Sequence, residues 1–255
     1  MNKKILALFF SGLLVISAAL TGCGGNAKGD KVLKAACSAD FAPFEFQEEG
    51  NKEYQGFDMD LIRALAKEMG MEVEISNIAF DGLIPALEAG NIDVAISGMT
   101  INDERKGKVL FSDPYYESGL TLVVRSDEKN IKGFKDLEGK SVAAQIGTTG
   151  STEASKIKDC NVKNFNVISE CFMELKAKGV DAVINDRPVN DYYIKKTNSE
   201  GVKALPEKLT AENYGMAVRK DNEELQKKLN AALKKLKDNG EYQKIYERWF
   251  GGASK

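Results

Sequence analysis

A ten-residue pattern occurs twice in this chain, and no other feature restricts the fold as strongly. Leu87-Glu88-Ala89-Gly90-Asn91-Ile92-Asp93-Val94-Ala95-Ile96 is matched by Leu175-Lys176-Ala177-Lys178-Gly179-Val180-Asp181-Ala182-Val183-Ile184. In each copy leucine leads aspartate by six positions, a glycine lies between them, and an apolar run follows. That is the signature of a helix ending in a tight turn and feeding a buried strand. Upstream, Lys31 to Cys37 reads as a first strand. Asp58 reads as the cap of a helix whose apolar positions Ile62, Leu65, Ala66 and Met69 fall at i, i+3, i+4 and i+7, with Gly70 as its left-handed terminus. Val73-Glu74-Ile75 alternates as a strand, and Asp81 reads as the cap of a second helix through Leu83, Ile84 and Leu87. Strand, helix, strand, helix, strand predicts a parallel sheet covered by helices. Its recurrence predicts two α/β lobes.

Open α/β sheets bind ligands beyond the carboxyl ends of their strands. The first copy runs into Ser97-Gly98-Met99-Thr100 and, one helical turn later, Arg105; the second runs into Asn185-Asp186-Arg187-Pro188. Amides and hydroxyls at a strand end, with a guanidinium beside them, suit a carboxylate. An arginine on one lobe and an aspartate on the other match the two charges of a zwitterion. Taken alone, the first segment reads as a capping box between Thr100 and Asp103 ahead of a solvated Arg105, and Asp186 equally as a helix cap before Pro188.

The inventory removes several chemistries. The 255 residues contain no histidine, which excludes Ser-His-Asp and Cys-His catalysis and the usual zinc sites. A formal net charge of −2 argues against a polyanion-binding surface, so no nucleic-acid partner is expected. Gly139-Lys140-Ser141 resembles the end of a phosphate loop, but the glycine spacing is wrong and a strand-like run follows. No cofactor or metal is expected. On the last long helix, Leu225, Leu229, Leu233 and Leu236 form an apolar stripe, and Glu223 and Glu224 precede Lys227 and Lys228 by four, which predicts a salt-bridged solvated face.

The amino terminus supplies an address. Lys3 and Lys4 precede an uncharged apolar run from Ile5 to Leu20, too short for a typical membrane span and suited to a signal-peptide core. It ends in Leu20-Thr21-Gly22-Cys23, which resembles a bacterial lipobox. Residues 1–22 are therefore read as a lipoprotein signal peptide, Cys23 as the lipidated residue, and residues 23–30 as a flexible linker. Cys37, Cys160 and Cys171 remain as small, mostly buried residues, with Cys160 and Cys171 free to pair. Phe41, Phe44 and Phe46 lie in a proline-broken segment as core anchors or a ligand wall. Phe80 lies before Asp81 and could staple to Pro85.

The ordered set of motifs resembles the extracytoplasmic solute-binding proteins of the polar amino-acid family that feed ABC importers. Gly56-Phe57-Asp58-Met59-Asp60-Leu61, Ser97 through Arg105, Phe111-Ser112-Asp113-Pro114-Tyr115-Tyr116, Asp136-Leu137-Glu138-Gly139-Lys140 with Gly147-Thr148-Thr149, and Tyr246-Glu247-Arg248-Trp249-Phe250-Gly251 carry the likeness. It covers essentially the whole chain after the leader. The resemblance implies a two-lobed, flytrap fold of the periplasmic-binding-protein type, with two α/β lobes joined by crossing segments near Leu120–Val124 and Gly215–Val218. Lobe 1 would comprise residues 31–119 and 216–255, and lobe 2 residues 120–215.

By resemblance, Arg105 clamps an α-carboxylate with Thr100, Thr148 and Thr149, and Asp186 takes an α-ammonium with the Gly98 carbonyl. Phe41 and Phe80 sandwich the ligand side chain. Ser38, Ser97, Met99 and Gln145 complete the expected site. Many family members carry aspartate where this chain has Ser38, so specificity does not transfer directly. The implied ligand is a polar or basic L-amino acid, arginine, lysine or glutamine before others, with cystine conceivable. The implied partners are that free amino acid and an ABC permease, for a monomer anchored outside the cytoplasm through Cys23. The alternatives are an enzyme on the same fold, such as a cyclohexadienyl dehydratase, and a sensor for a signalling partner.

Overall fold

The computed structural model describes residues 32–196, 198 and 201–251. The leader at 1–22, Cys23 and the linker at 23–30 lie outside the described residues. The chain begins with β1 (Val32–Cys37), a short hairpin of β2 (Asp40–Phe41) and β3 (Glu45–Phe46), α1 (Phe57–Glu68), β4 (Glu72–Asn77), α2 (Leu83–Glu88), β5 (Val94–Ala95), α3 (Asp103–Lys108), β6 (Val109–Phe111) and β7 (Tyr116–Ser118). It continues with β8 (Leu120–Arg125), β9 (Ser141–Gln145), α4 (Thr149–Ser155), β10 (Asn161–Phe165), α5 (Ile168–Lys176), β11 (Ala182–Asp186), α6 (Arg187–Lys196) and β12 (Val202–Ala204). The last elements are β13 (Glu212–Tyr214), β14 (Ala217–Arg219), α7 (Glu223–Asp238) and α8 (Glu241–Phe250).

Two five-stranded sheets form two lobes. Their orders, β4-β1-β5-β14-β6 and β10-β9-β11-β8-β12, are the same design twice. In each, three parallel strands are followed by two in antiparallel pairing, and the strand from the repeated pattern, β5 or β11, is central. The repeated aspartates do one job in both lobes. Asp93 accepts from the Lys34 amide at 2.9 Å, and its own amide donates to the Lys34 carbonyl at 2.8 Å. Asp181 accepts from the Ser141 amide at 2.9 Å and donates to the Ser141 carbonyl at 2.7 Å. Each aspartate thus ties the chain just before the central strand to the neighbouring strand, satisfying backbone groups there.

The glycine within the pattern is not equivalent in the two copies. Gly90 turns the chain with φ +72°, whereas the matching position in the second lobe is Lys178 at φ +65°, and Gly179 follows it. A Cβ at Gly179 would meet only the mobile carboxylate end of Glu174, and it is Lys178 that takes the left-handed conformation in this copy.

The chain crosses between the sheets at β7 and β13, which pair with each other as an antiparallel ribbon. Residues 120–124 already lie inside the second sheet and Ala217–Arg219 inside the first. An aromatic cluster seats the ribbon on the first lobe. Phe44 packs edge-on to Tyr116 at 4.8 Å, Tyr116 stacks with Tyr214 at 5.7 Å, and Phe250 of α8 lies 4.9 Å from Tyr116. Phe44 is therefore core. Helix α7 buries Leu225, Leu229, Leu233 and Leu236 and turns its lysines outward, with Lys227 on Glu223 at 3.0 Å and Lys228 on Glu224 at 2.5 Å.

Two expected caps are absent. Helix α1 starts at Phe57 behind Gly56, so Asp58 is inside its first turn and fully buried. Asp81 lies in a single 3-10 turn spanning Phe80–Gly82, and α2 follows from Gly82 with no side-chain cap. Gly70 does take the left-handed conformation after α1, at φ +66°. The thiols of Cys37, Cys160 and Cys171 are all free.

Candidate functional site

The carboxyl ends of β5 and β11 face one narrow cavity between the lobes. Ser38, Phe41, Phe80, Ser97, Gly98, Thr100, Arg105, Gln145, Thr148, Thr149 and Asp186 line it together with Glu45. Of the residues expected there, Met99 is the exception as a wall residue. Its position follows Gly98 along an extended segment, and its side chain is buried with Phe80, Leu83 and Leu87 in the apolar layer beneath.

Arg105 owes its position to a short helix that starts later than the sequence suggests. The segment before it continues sheet-like pairing, with Thr100 bridged to Tyr214, the Ile101 amide on the Asn213 carbonyl and the Gly215 amide on the Met99 carbonyl. Helix α3 cannot begin until Asp103, and its cap is Asn102, whose side chain accepts from the Arg105 amide at 2.9 Å. The capping box between Thr100 and Asp103 therefore does not form. The Thr100 hydroxyl donates instead to Glu212 Oε2 at 2.5 Å.

The Arg105 side chain is only 7% exposed. Nη1 donates to the Thr100 carbonyl at 2.7 Å, Nη2 reaches across to the Gly147 carbonyl of the second lobe at 3.0 Å, and the guanidinium lies 5.3 Å from the Phe80 ring centroid. A guanidinium has five N–H donors, so three remain for other acceptors. Burial lowers its pKa, while the charges of Glu212 and Asp186 oppose that shift. Gly147 permits the approach. It has φ +75°, and a Cβ there would lie 2.9 Å from the Asp81 Cβ.

Asp186 ends β11 and is 6% exposed. Its Oδ1 accepts from Ser118 Oγ at 2.8 Å, and Ser118 Oγ accepts from the Tyr214 hydroxyl at 3.1 Å, so the connecting ribbon orients it. Burial, then the nearby Glu212 charge, push the carboxyl up to about 7, against hydrogen bonds from Tyr214 and Ser118 and the charge of Arg105. Thr148 caps α4, accepting from the Ser151 amide at 3.3 Å, and Thr149 donates to Glu212 Oε2 at 3.0 Å.

A second hydrogen-bonded group forms another part of the wall. Ser97 Oγ donates to Glu45 Oε1 at 2.7 Å and accepts from the Ser38 amide at 3.0 Å; Gln145 Nε2 reaches Ser38 Oγ at 3.5 Å and the Asn166 carbonyl at 3.0 Å. Behind it, Asp58 Oδ2 accepts from the Gly98 amide at 2.9 Å and the Tyr115 hydroxyl at 2.7 Å, which pins the loop after β5. That is the task of Asp58 in place of capping. Phe41 closes this side as the cross-strand partner of Glu45.

Glu45, Glu212 and Ser118 were not anticipated. Glu45 carried a signal, an acid between Phe44 and Phe46 in a strand whose flanking aromatics both need apolar surroundings. Glu212 and Ser118 lie in ordinary polar stretches, and only the pairing of β7 with β13 brings them to the cleft.

A buried cation from one lobe and a buried anion from the other, beside hydroxyls and aromatic rings, define a binding cleft of the periplasmic-binding-protein fold. The sequence profile of the bacterial extracellular solute-binding proteins, family 3, matches residues 33–252, and the chain belongs to that family. It is 38% identical over 259 residues to the arginine-binding extracellular protein ArtP of Bacillus subtilis (strain 168), covering 98% of this chain and 99% of that one. Among solved structures, an ancestral arginine-binding protein bound to arginine superposes with a TM-score of 0.83 at 46% identity, covering 86% of this chain and 98% of the other. An ancestral amino acid-binding protein described as a precursor of cyclohexadienyl dehydratase superposes with a TM-score of 0.79 at 41% identity, covering 86% of this chain and 95% of the other.

Proposed function

We propose that this chain binds a polar or basic L-amino acid, arginine, lysine or glutamine before others, and delivers it to the permease of an ABC importer. The observation that carries the reading is the convergence of Arg105 and Asp186, buried and from opposite lobes, on one cavity. Arg105 offers its free N–H donors, with the Thr100, Thr148 and Thr149 segments, to the α-carboxylate. Asp186, held by Ser118, takes the α-ammonium with the Gly98 carbonyl. Phe41 and Phe80 flank the side chain, and Ser38, Ser97 and Gln145 supply polar contacts along it.

Because the two charges stand on different lobes, a ligand gains both contacts only when the lobes are together, and it shifts the equilibrium toward closure. The protein acts as a monomer tethered outside the cytoplasm by lipid on Cys23. No catalytic step is assigned, and the arginine-binding relatives described above are binding proteins by name. A thermal-shift screen of the common L-amino acids tests the reading. The unfolding midpoint should rise with one chemically related subset, since the ligand stabilises the native state alone. A flat screen, or turnover of prephenate or arogenate, would overturn it. Radioactive palmitate incorporation that is lost in Cys23→Ser tests the anchor.

A further inference from the structure

The rings that flank the cavity, Phe41 and Phe80, each stand beside an aspartate that meets the opposite lobe. Asp81 lies against Gly147, in the segment after β9, so closely that a Cβ on that glycine would be 2.9 Å from the Asp81 Cβ. Asp40, in β2, reaches α5 of the second lobe with a hydrogen bond, its Oδ2 accepting from the Ser169 amide at 2.9 Å. Strands β1 and β9 hold the same place in the two sheets, so these contacts are counterparts. In each, the segment after that strand meets the start of the helix that leads into the other lobe's central strand. Neither Asp40 nor Ser169 lines the cavity.

Helix α5 lacks a side-chain cap of its own. Val167 holds the capping position with extended backbone, φ −133° and ψ 151°, and its apolar side chain accepts nothing. Glu170 reaches back to the Val167 amide at 3.4 Å, which leaves the amides of the first turn to find acceptors elsewhere. Asp40 provides one from the other lobe. Burial raises the Asp40 carboxyl above its ordinary range, the amide and hydroxyl of Ser169 hold it down, the Glu170 charge raises it, and the Ile168 amide lowers it. The rest of the hairpin supports the contact, since Phe46, the cross-strand partner of Asp40, lies 6.3 Å from the Tyr192 ring of α6.

We infer that Asp40 latches the two lobes by capping α5 across the cleft, a contact that forms with or without ligand and sets how long any ligand stays bound. This rests on the receptor reading above and adds a positioning residue to it. Parting the lobes uncaps a helix as well as breaking the contacts to the ligand. Because Asp40 is outside the cavity wall, that added cost is the same for every amino acid the cleft accepts, and it falls on release, which follows closure, more than on encounter.

Stopped-flow release of L-arginine, L-lysine and L-glutamine tests the latch on whichever of them the wild type binds. Asp40→Ala should speed release by about 3- to 30-fold, the range for losing a helix cap, and by the same factor for each ligand. Asp40→Asn should restore release to within about threefold of wild type, since asparagine caps as well as aspartate. Val167→Asn works from the other side and serves even if Asp40→Ala does not fold. It gives α5 an acceptor of its own, so release should quicken about 2- to 10-fold although nothing at Asp40 is removed. Amide exchange followed by NMR needs no ligand. The amides of Ile168 and Ser169 should exchange at least about threefold faster in ligand-free Asp40→Ala than in ligand-free wild type. Unchanged release in Asp40→Ala or in Val167→Asn would overturn the latch; so would losses that differ more than about threefold between ligands, no rescue by Asp40→Asn, or equal amide exchange. Wild-type protein that binds no amino acid but shows the exchange difference would overturn the amino-acid reading and leave the latch standing.

Discussion

At the end of β5 the chain runs on through Ser97–Thr100 to a guanidinium. At the end of β11, the matching central strand of the other lobe, it stops at a carboxylate. The strands, their neighbours and the aspartates that anchor them are equivalent, as Asp93 on Lys34 and Asp181 on Ser141 show. What differs is how each charge is held. Arg105 is fastened by carbonyls of both lobes, Thr100 and Gly147, whereas Asp186 is fastened by the ribbon through Ser118 and Tyr214. The difference teaches that the repeated scaffold sets where a charge stands, and that non-repeated residues set its sign and its freedom.

The largest effect that could break this comparison is on binding. Arg105→Ala should weaken the preferred amino acid at least about 100-fold, since removing one member of a buried pair costs ~3–5 kcal/mol. Calorimetry that finds near-native affinity would end the idea of a clamp with one charge from each lobe.

Asp186 offers a test through pH. Its carboxyl titrates at about 7 in the fold, above the ordinary range, so between about 4 and 7 the folded protein binds more protons than the unfolded chain. The stability linked to this group is therefore full below about pH 4 and is lost as pH rises through about 7. Without ligand, the unfolding midpoint should be higher at pH 5.5 than at pH 7.5 on account of this group, and Asp186→Asn should shrink that difference. A variant that keeps the full pH slope would show that Asp186 does not carry it.

The anchoring aspartates sharpen the comparison at lower amplitude. Asp93→Ala and Asp181→Ala should each destabilise by about 1–3 kcal/mol, because a backbone amide of the neighbouring strand loses its acceptor. Asp181→Ala should cost somewhat more, since Arg125 also lies 3.7 Å from that carboxylate. Urea denaturation that finds either substitution neutral would remove the shared role. The smallest expected effect lies at the turn where the copies diverge. Lys178→Gly should stabilise by about 0.5–1 kcal/mol by relieving a left-handed lysine, and Gly90→Lys should destabilise by a similar amount. Identical melting curves for Lys178→Gly and wild type would mean that the lysine is unstrained there.

Much of this architecture was legible because it rests on local periodicity. The repeat marked both central strands, the 3.6-residue spacing marked α1 and α7, and the four-residue charge spacing marked the solvated face of α7. Caps were less legible. Asp58 precedes an apolar stripe as a cap would, but it faces the Gly98 amide and the Tyr115 hydroxyl, partners 40 and 57 residues away in sequence that local pattern cannot reveal. Thr100 failed as a cap for a related reason, since pairing with the ribbon postponed the helix. Within the cavity, residues that follow a strand end or open a helix could be named from the chain. Ser118 could not, because it is brought to Asp186 only by the pairing of β7 with the distant β13.

Glu212 gives the connecting ribbon a part beyond orientation. Its Oε2 accepts from Thr100 of the first lobe and from Thr149 of the second, so one oxygen on β13 is satisfied from both sides only when the lobes meet. The ribbon thereby works as a coincidence detector. Parting the lobes takes at least one hydroxyl from that oxygen and hands the vacancy to water, so the resting balance between open and shut can be adjusted at a residue outside the cavity wall. Under the receptor role proposed above, an importer that responds to the shut form would meet the unloaded protein more or less often as that balance is adjusted.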